Sequence, residues 1–170
     1  KATSTSSEQG YALLDSGDGR KLEQFGSVVL SRPAAQAAWR PTAPNSWRQT
    51  TAAFDREDGL NWENRPQVPD TWLLNVDDIR FELSATDFGH VGIFPEQRSQ
   101  WNWLRKTISD SNRKKPRLLN LFAYSGGSAL ACGHAGAEVC HVDASKGMVE
   151  WARRNAAINS LLDAPIRWIV

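Results

Sequence analysis

The chain has 170 residues, 41% of them hydrophobic, and a formal net charge of +1. That length makes one domain, or one domain with an appendage, with enough apolar content for a packed core. The near-neutral charge excludes a broad basic footprint for nucleic acid, and no apolar run approaches the roughly 20 residues of a membrane-spanning helix.

Residues 1–10 are rich in Ser and Thr and lack an apolar stretch. They read as a disordered tail, not a signal peptide, which implies a cytoplasmic protein. Residues 11–94 read as a small antiparallel β unit. The apolar residues 11–14 run into a turn cluster at 15–19, and residues 27–30 form a short strand halted at Arg32 and Pro33. Residues 41–47 look irregular, and residues 55–59 form another polar turn. Two strands, 71–76 and 79–86, flank Asp77 and Asp78 in a near-hairpin, with residues 91–94 as a further pairing candidate.

A different pattern begins at Pro95, which suits the first position of a helix. Trp101, Leu104 and Ile108 then give one apolar face. After a polar connector, residues 117–123 read as a strand, and residues 127–135 as a helix closed by Gly136. A second strand covers 138–143. Ser145 caps a helix whose face carries Met148, Trp151, Ala152, Asn155 and Ile158. Residues 166–170 open a third strand. The β-α-β-α-β order of residues 117–170 predicts, for the domain 95–170, a Rossmann-like parallel sheet with right-handed crossovers. It also predicts an incomplete sheet, because the first strand calls for a neighbour on its far side.

The stretch Leu-Leu-Asn-Leu-Phe-Ala-Tyr-Ser-Gly-Gly, residues 118–127, carries the most chemistry. A continuous apolar run predicts a strand buried on both faces. The glycines at its end let the backbone approach a ligand without a Cβ in the way. The next strand ends at Asp143, whose carboxylate suits the two hydroxyls of a ribose. Together they predict a nucleoside crevice at the carboxyl ends of parallel strands. The spacing lacks G-x-G-x-x-G, and no Gly-Lys-Ser/Thr follows the strand, so both diphosphate signatures fail. A nucleoside with a small zwitterionic tail fits instead, which describes S-adenosyl-L-methionine.

Residues 118–127, residues 141–159 (His-Val-Asp-Ala-Ser-Lys onward) and Phe-Pro-Glu-Gln at 94–97 make the chain resemble a known family. It is similar to class I methyltransferases related to the bacterial 23S ribosomal RNA cytosine-C5 methyltransferases, from about Tyr11 to Val170 and most strongly from His90 onward. Within that group it most resembles the shorter branch with the Phe-Pro-Glu-Gln motif. The resemblance implies that Phe122, Ala123, Tyr124, Ser125 and Gly126 surround the methionine portion of the cofactor, with Asn120 supporting the turn. It implies that Asp143 takes the ribose, that Ala144 and Ser145 lie along the adenosine, and that Gln97 reaches across. Ser125 stands where the family usually has Thr. The acid expected just after Val170 and the family's later Asp-Pro-Pro stretch lie outside these 170 residues, so the piece alone is expected to lack turnover.

The resemblance further implies an RNA acceptor, such as a ribosomal RNA cytosine. Cytosine-C5 transfer uses a cysteine nucleophile. Cys132 and Cys140 read instead as two buried thiols, and no catalytic residue is assigned. No His or Cys spacing suits a metal, and the oligomeric state stays open. Other readings of the same residues are a helix-capping Asp143, a plain tight turn at Gly126, a packed Tyr124 and a solvated Gln97. The basic run at 113–115 reads as a linker. The rival functions are a non-catalytic nucleoside- or RNA-binding module and a nicotinamide-dependent oxidoreductase.

Overall fold

The computed structural model describes residues 10–56 and 61–170. The expected tail at 1–9, and part of the expected turn at 55–59, lie outside the described residues. The chain divides into two compact units, one reaching to Asp77 and taking in Leu83–Val91, the other formed by Asp78–Glu82 and Gly92–Val170.

In the first unit, β1 (Tyr11–Gly17), β2 (Arg20–Phe25), β3 (Val28–Pro33), β4 (Ala52–Asp55) and β5 (Asn61–Glu63) form one sheet in sequential order. The β3–β4 pair is parallel, a departure from the antiparallel unit expected. The first turn is tighter than the expected cluster at 15–19. Gly17 pairs with Arg20, and Asp18 and Gly19 alone turn the chain, at φ 49° and 73°. Positive φ at both central residues matches the twist of the flanking strands. Asp15 therefore lies inside β1, next to a register shift between Leu13 and Asp15. Its carboxylate accepts from the Trp47 indole, from the Ala43 amide, and from the Thr42 amide and hydroxyl. These donors, Trp47 foremost, hold the Asp15 carboxyl well below the usual carboxylate range. The irregular-looking stretch before β4 is thus folded around one acid, with a 3₁₀ turn at Pro44–Gln49.

β6 (Trp72–Val76) and β7 (Ile79–Leu83) form a two-stranded sheet. Asp77, at φ 55°, turns the chain between them without glycine. Residues 91–94 form no strand, although the Val91 carbonyl accepts from the Ser84 amide.

In the second unit, Pro95–Gln97 is a 3₁₀ turn leading into α1 (Arg98–Ser109). Then follow β8 (Arg117–Leu121), α2 (Gly127–His134), β9 (Glu138–Val142), α3 (Lys146–Ile158) and β10 (Ile166–Ile169). The three strands are parallel in the order β10-β9-β8. Val139 packs with Ile108, Ala129, Cys132 and Ala137, and Leu104, Leu118 and Ile166 close around them. The Ser145 hydroxyl caps α3 by accepting from the Met148 amide. The buried face of α3 is Val149, Trp151, Ala152, Asn155 and Ala156, so Met148 and Ile158 are not its centre as expected.

β8 corrects the expectation of a strand covered on both faces. Successive strand side chains point to opposite faces. Leu118 joins the cluster, while Leu119 and Leu121 are 64% and 54% exposed.

Candidate functional site

The loop leaving β8 is held in a shape its residues disfavour. Phe122 and Tyr124 have φ of 53° and 52°, followed by Gly126 at 101°. A left-handed conformation costs a side-chain-bearing residue roughly 1–2 kcal/mol. Several hydrogen bonds offset that strain. The Ala123 amide donates to the Val142 carbonyl at 3.1 Å and the Tyr124 amide to Asp143 Oδ2 at 2.9 Å. Gly92 is bound twice, its amide donating to the Tyr124 hydroxyl at 3.2 Å and its carbonyl accepting from the Ser125 hydroxyl. Asn155 Nδ2 donates to the Ser125 carbonyl at 2.9 Å.

A cleft of about 260 Å³ opens beside this loop. Of the residues named from sequence, Gln97, Asn120, Phe122, Ala123, Tyr124 and Ser125 line it. Phe122 is 92% exposed. Asn120 Nδ2 is buried without a hydrogen-bond partner among the described residues. A buried donor left unpaired costs about 1–3 kcal/mol, so its place in a cleft wall suits it to an incoming acceptor.

Gly126, Asp143, Ala144 and Ser145 do not line this cleft. The two glycines also have a packing reason beyond the one expected, and Gly127 itself lines the cleft. A Cβ on Gly126 would come within 3.1 Å of the Ala152 Cβ, and one on Gly127 within 2.5 Å of the Trp101 indole. Their bare backbone admits neighbouring helices. Asp143 accepts from the Tyr124 amide on one oxygen and from the Ser145 amide on the other. It is therefore a strand-end cap and a strut for the loop at once. Each carboxylate oxygen has a second lone pair, so two acceptor positions remain for a ligand. Ala144 and Ser145 are exposed.

Sequence reasoning missed Gln100, Trp101 and Ser128 as cleft residues. Gln97 and Gln100 stand three apart at the head of α1, a spacing that places both on one side. Trp101 had been assigned only to the apolar face. It is buried and stacks on Phe81 at 5.4 Å, yet it also reaches the cleft.

His141 is buried beside the Trp168 ring, and burial pushes its pKa down to about 4, so it is neutral at pH 7. Burial pushes the Cys132 thiol up to about 11, which removes it as a nucleophile; Cys140 is half-buried. Among the described residues no cluster of His, Cys, Asp and Glu suits a metal, and no helix is long and apolar enough to cross a membrane.

A wound parallel sheet with a bent loop at the first strand tip and an acid at the second is the architecture of the class I S-adenosylmethionine-dependent methyltransferases, and this chain is related to them. Its relatives within that class are ribosomal RNA methyltransferases. It is 32% identical, over 140 residues, to the ribosomal RNA large subunit methyltransferase K/L of a Shewanella species (strain ANA-3), covering 81% of this chain and 18% of that one. Among solved structures it is 42% identical to an S-adenosylmethionine-dependent methyltransferase from Agrobacterium tumefaciens, with a TM-score of 0.88 over 96% of this chain and 53% of that one. A Streptococcus mutans structure, 22% identical with a TM-score of 0.74 over 98% of this chain and 47% of that one, shares the fold. The chain thus spans under a fifth of the curated relative's length and about half that of each structure. No family model matches it.

Proposed function

We propose that this chain binds S-adenosyl-L-methionine in the cleft beside residues 122–126 and serves methyl transfer to RNA, such as a ribosomal RNA cytosine. The observation that carries this reading is the Asn120 amide, buried and unpaired in the cleft wall where a β-strand ends. A carboxylate matches such a donor, and the cofactor's amino-acid end supplies one. Phe122, Ala123, Tyr124 and Ser125 then enclose the methionine portion, with Gly126 at the back of the loop. Asp143 offers its two remaining acceptor positions to the ribose, with Ala144 and Ser145 along the adenosine and Gln97 facing them.

When bound, the cofactor supplies an electrophilic methyl on sulfonium, and the chemistry of transfer is its own. The contribution of these residues is to bind and orient, in a loop whose shape is set before the ligand arrives. Neither cysteine lines the cleft, so the acceptor-activating group is not assigned to this chain. The K/L name of the relatives and the absence of a diphosphate signature favour RNA methylation over a nicotinamide enzyme or a non-catalytic module.

Calorimetric titration of the full chain with S-adenosylhomocysteine and, separately, with NAD tests the reading. Saturable binding of the first and none of the second is expected. Binding of NAD alone, or of neither, refutes it.

A further inference from the structure

α3 and its C-cap residue, Asn159, present three side chains to one edge of β7. Asn159 makes a two-way pair with the Arg80 backbone, accepting from its amide at 2.9 Å and donating to its carbonyl at 2.6 Å. Asn155 Oδ1 accepts from the Glu82 amide at 2.8 Å, and the Trp151 indole donates to the Glu82 carbonyl at 2.8 Å. Four backbone groups of alternate strand residues are thus satisfied by residues 151, 155 and 159 of a helix and its cap. The spacings agree. Four helical residues rise about 6 Å, and two strand residues about 6.6 Å. The helix therefore closes this strand edge with side chains where a neighbouring strand would otherwise sit.

Asn155 differs from the other two rungs. It is fully buried, and its second amide group points the other way, donating to the Ser125 carbonyl in the bent loop. Ser125 in turn holds Gly92, and Gly92 holds the Tyr124 hydroxyl. One amide thus ties the strand edge to the loop that lines the cleft. We propose that Asn155 is a positioning residue for the cofactor: its Nδ2 donor sets the loop geometry and thereby the affinity. This rests on the binding reading above.

The neutral acid of Asn155→Asp has the same shape as the amide and donates O–H to the Ser125 carbonyl. The ionised acid does not donate, and it sets a charge against that carbonyl. Burial raises such a carboxyl above its usual value of about 3.9. The full chain and its N155D and N159D variants are titrated with S-adenosylhomocysteine at pH 5.5 and 8.5, and their melting is recorded. N155D is expected to bind on the order of tenfold more weakly than wild type at pH 8.5, and to recover toward it at pH 5.5. N159D, which weakens the ladder without touching Ser125, is expected to melt lower with its dissociation constant unchanged.

Wild-type affinity in N155D at both pH values overturns the inference and leaves the binding reading intact. So does an equal loss of affinity in N159D, which marks general loosening. If N155D does not fold, Asn155→Ser takes its place. A weakening on the order of tenfold at both pH values then supports the proposal, and unchanged affinity overturns it. Failure of the wild-type chain to bind S-adenosylhomocysteine removes the reading and the inference together.

Discussion

Replacing Gly92 with alanine concentrates two penalties on the residue that clamps the bent loop. Gly92 sits at φ 94°, where an added Cβ costs roughly 1–2 kcal/mol. That Cβ would also lie 2.3 Å from Cζ2 of Trp151 and 2.8 Å from Cη2. The ring has little freedom to yield, because its nitrogen donates to the Glu82 carbonyl. Overpacking of this kind typically costs 1–3 kcal/mol. The sum is about 3 kcal/mol, which for a chain of this size lowers Tm by roughly 6–12 °C. A backbone shift that relieves the clash also pulls Gly92 from the Tyr124 and Ser125 hydroxyls, so affinity for S-adenosylhomocysteine should fall with stability. Thermal melting and calorimetric titration of G92A against wild type read both effects. A Tm within about 2 °C of wild type, with unchanged affinity, refutes the packing described for Gly92 and its link to the loop.

Asn120→Leu should separate binding from folding: Nδ2 has no partner among the described residues, so Tm should hold or rise while S-adenosylhomocysteine affinity falls on the order of tenfold. Undiminished affinity would remove Asn120 from the site. His141 gives a pH signature. Its folded pKa of about 4 lies below the unfolded value of about 6.5, so the unfolded chain binds more protons between them. Stability is full above pH 6.5 and declines by at most about 3 kcal/mol as pH falls toward 4, a window above that of the Asp15 carboxyl. Urea titrations of wild type and His141→Leu at pH 4.5 and 7 should show a larger decline in wild type, since His90, whose pKa burial also lowers, contributes a decline in both; an equal decline in both would assign it elsewhere.

Much of the wound half was legible because its signals are local. The apolar runs read as strands over 117–123 and 138–143 announced β8 and β9, which stop two residues and one residue earlier, and Ser145 announced the α3 cap. The first half was harder. β2 went unread because the turn before it uses only Asp18 and Gly19, while the acid that looked like part of the turn, Asp15, is a buried strand residue holding a distant loop. Gln100 and Ser128 escaped because nothing in their own neighbourhoods distinguishes them from ordinary polar helix residues.

The chain order of apolar runs, glycines and one acid was enough to determine a parallel sheet, a bent loop at its first strand and a carboxylate at the second. Such features follow from backbone sterics and side-chain period, which act over a few residues. Only the tertiary structure decided that Gly126 and Gly127 make room for Ala152 and Trp101, that Leu119 and Leu121 face outward, and that Asn155 joins a strand edge to the loop. Those outcomes depend on which distant side chain arrives at a given Cα or carbonyl, a matter of packing between elements dozens of residues apart.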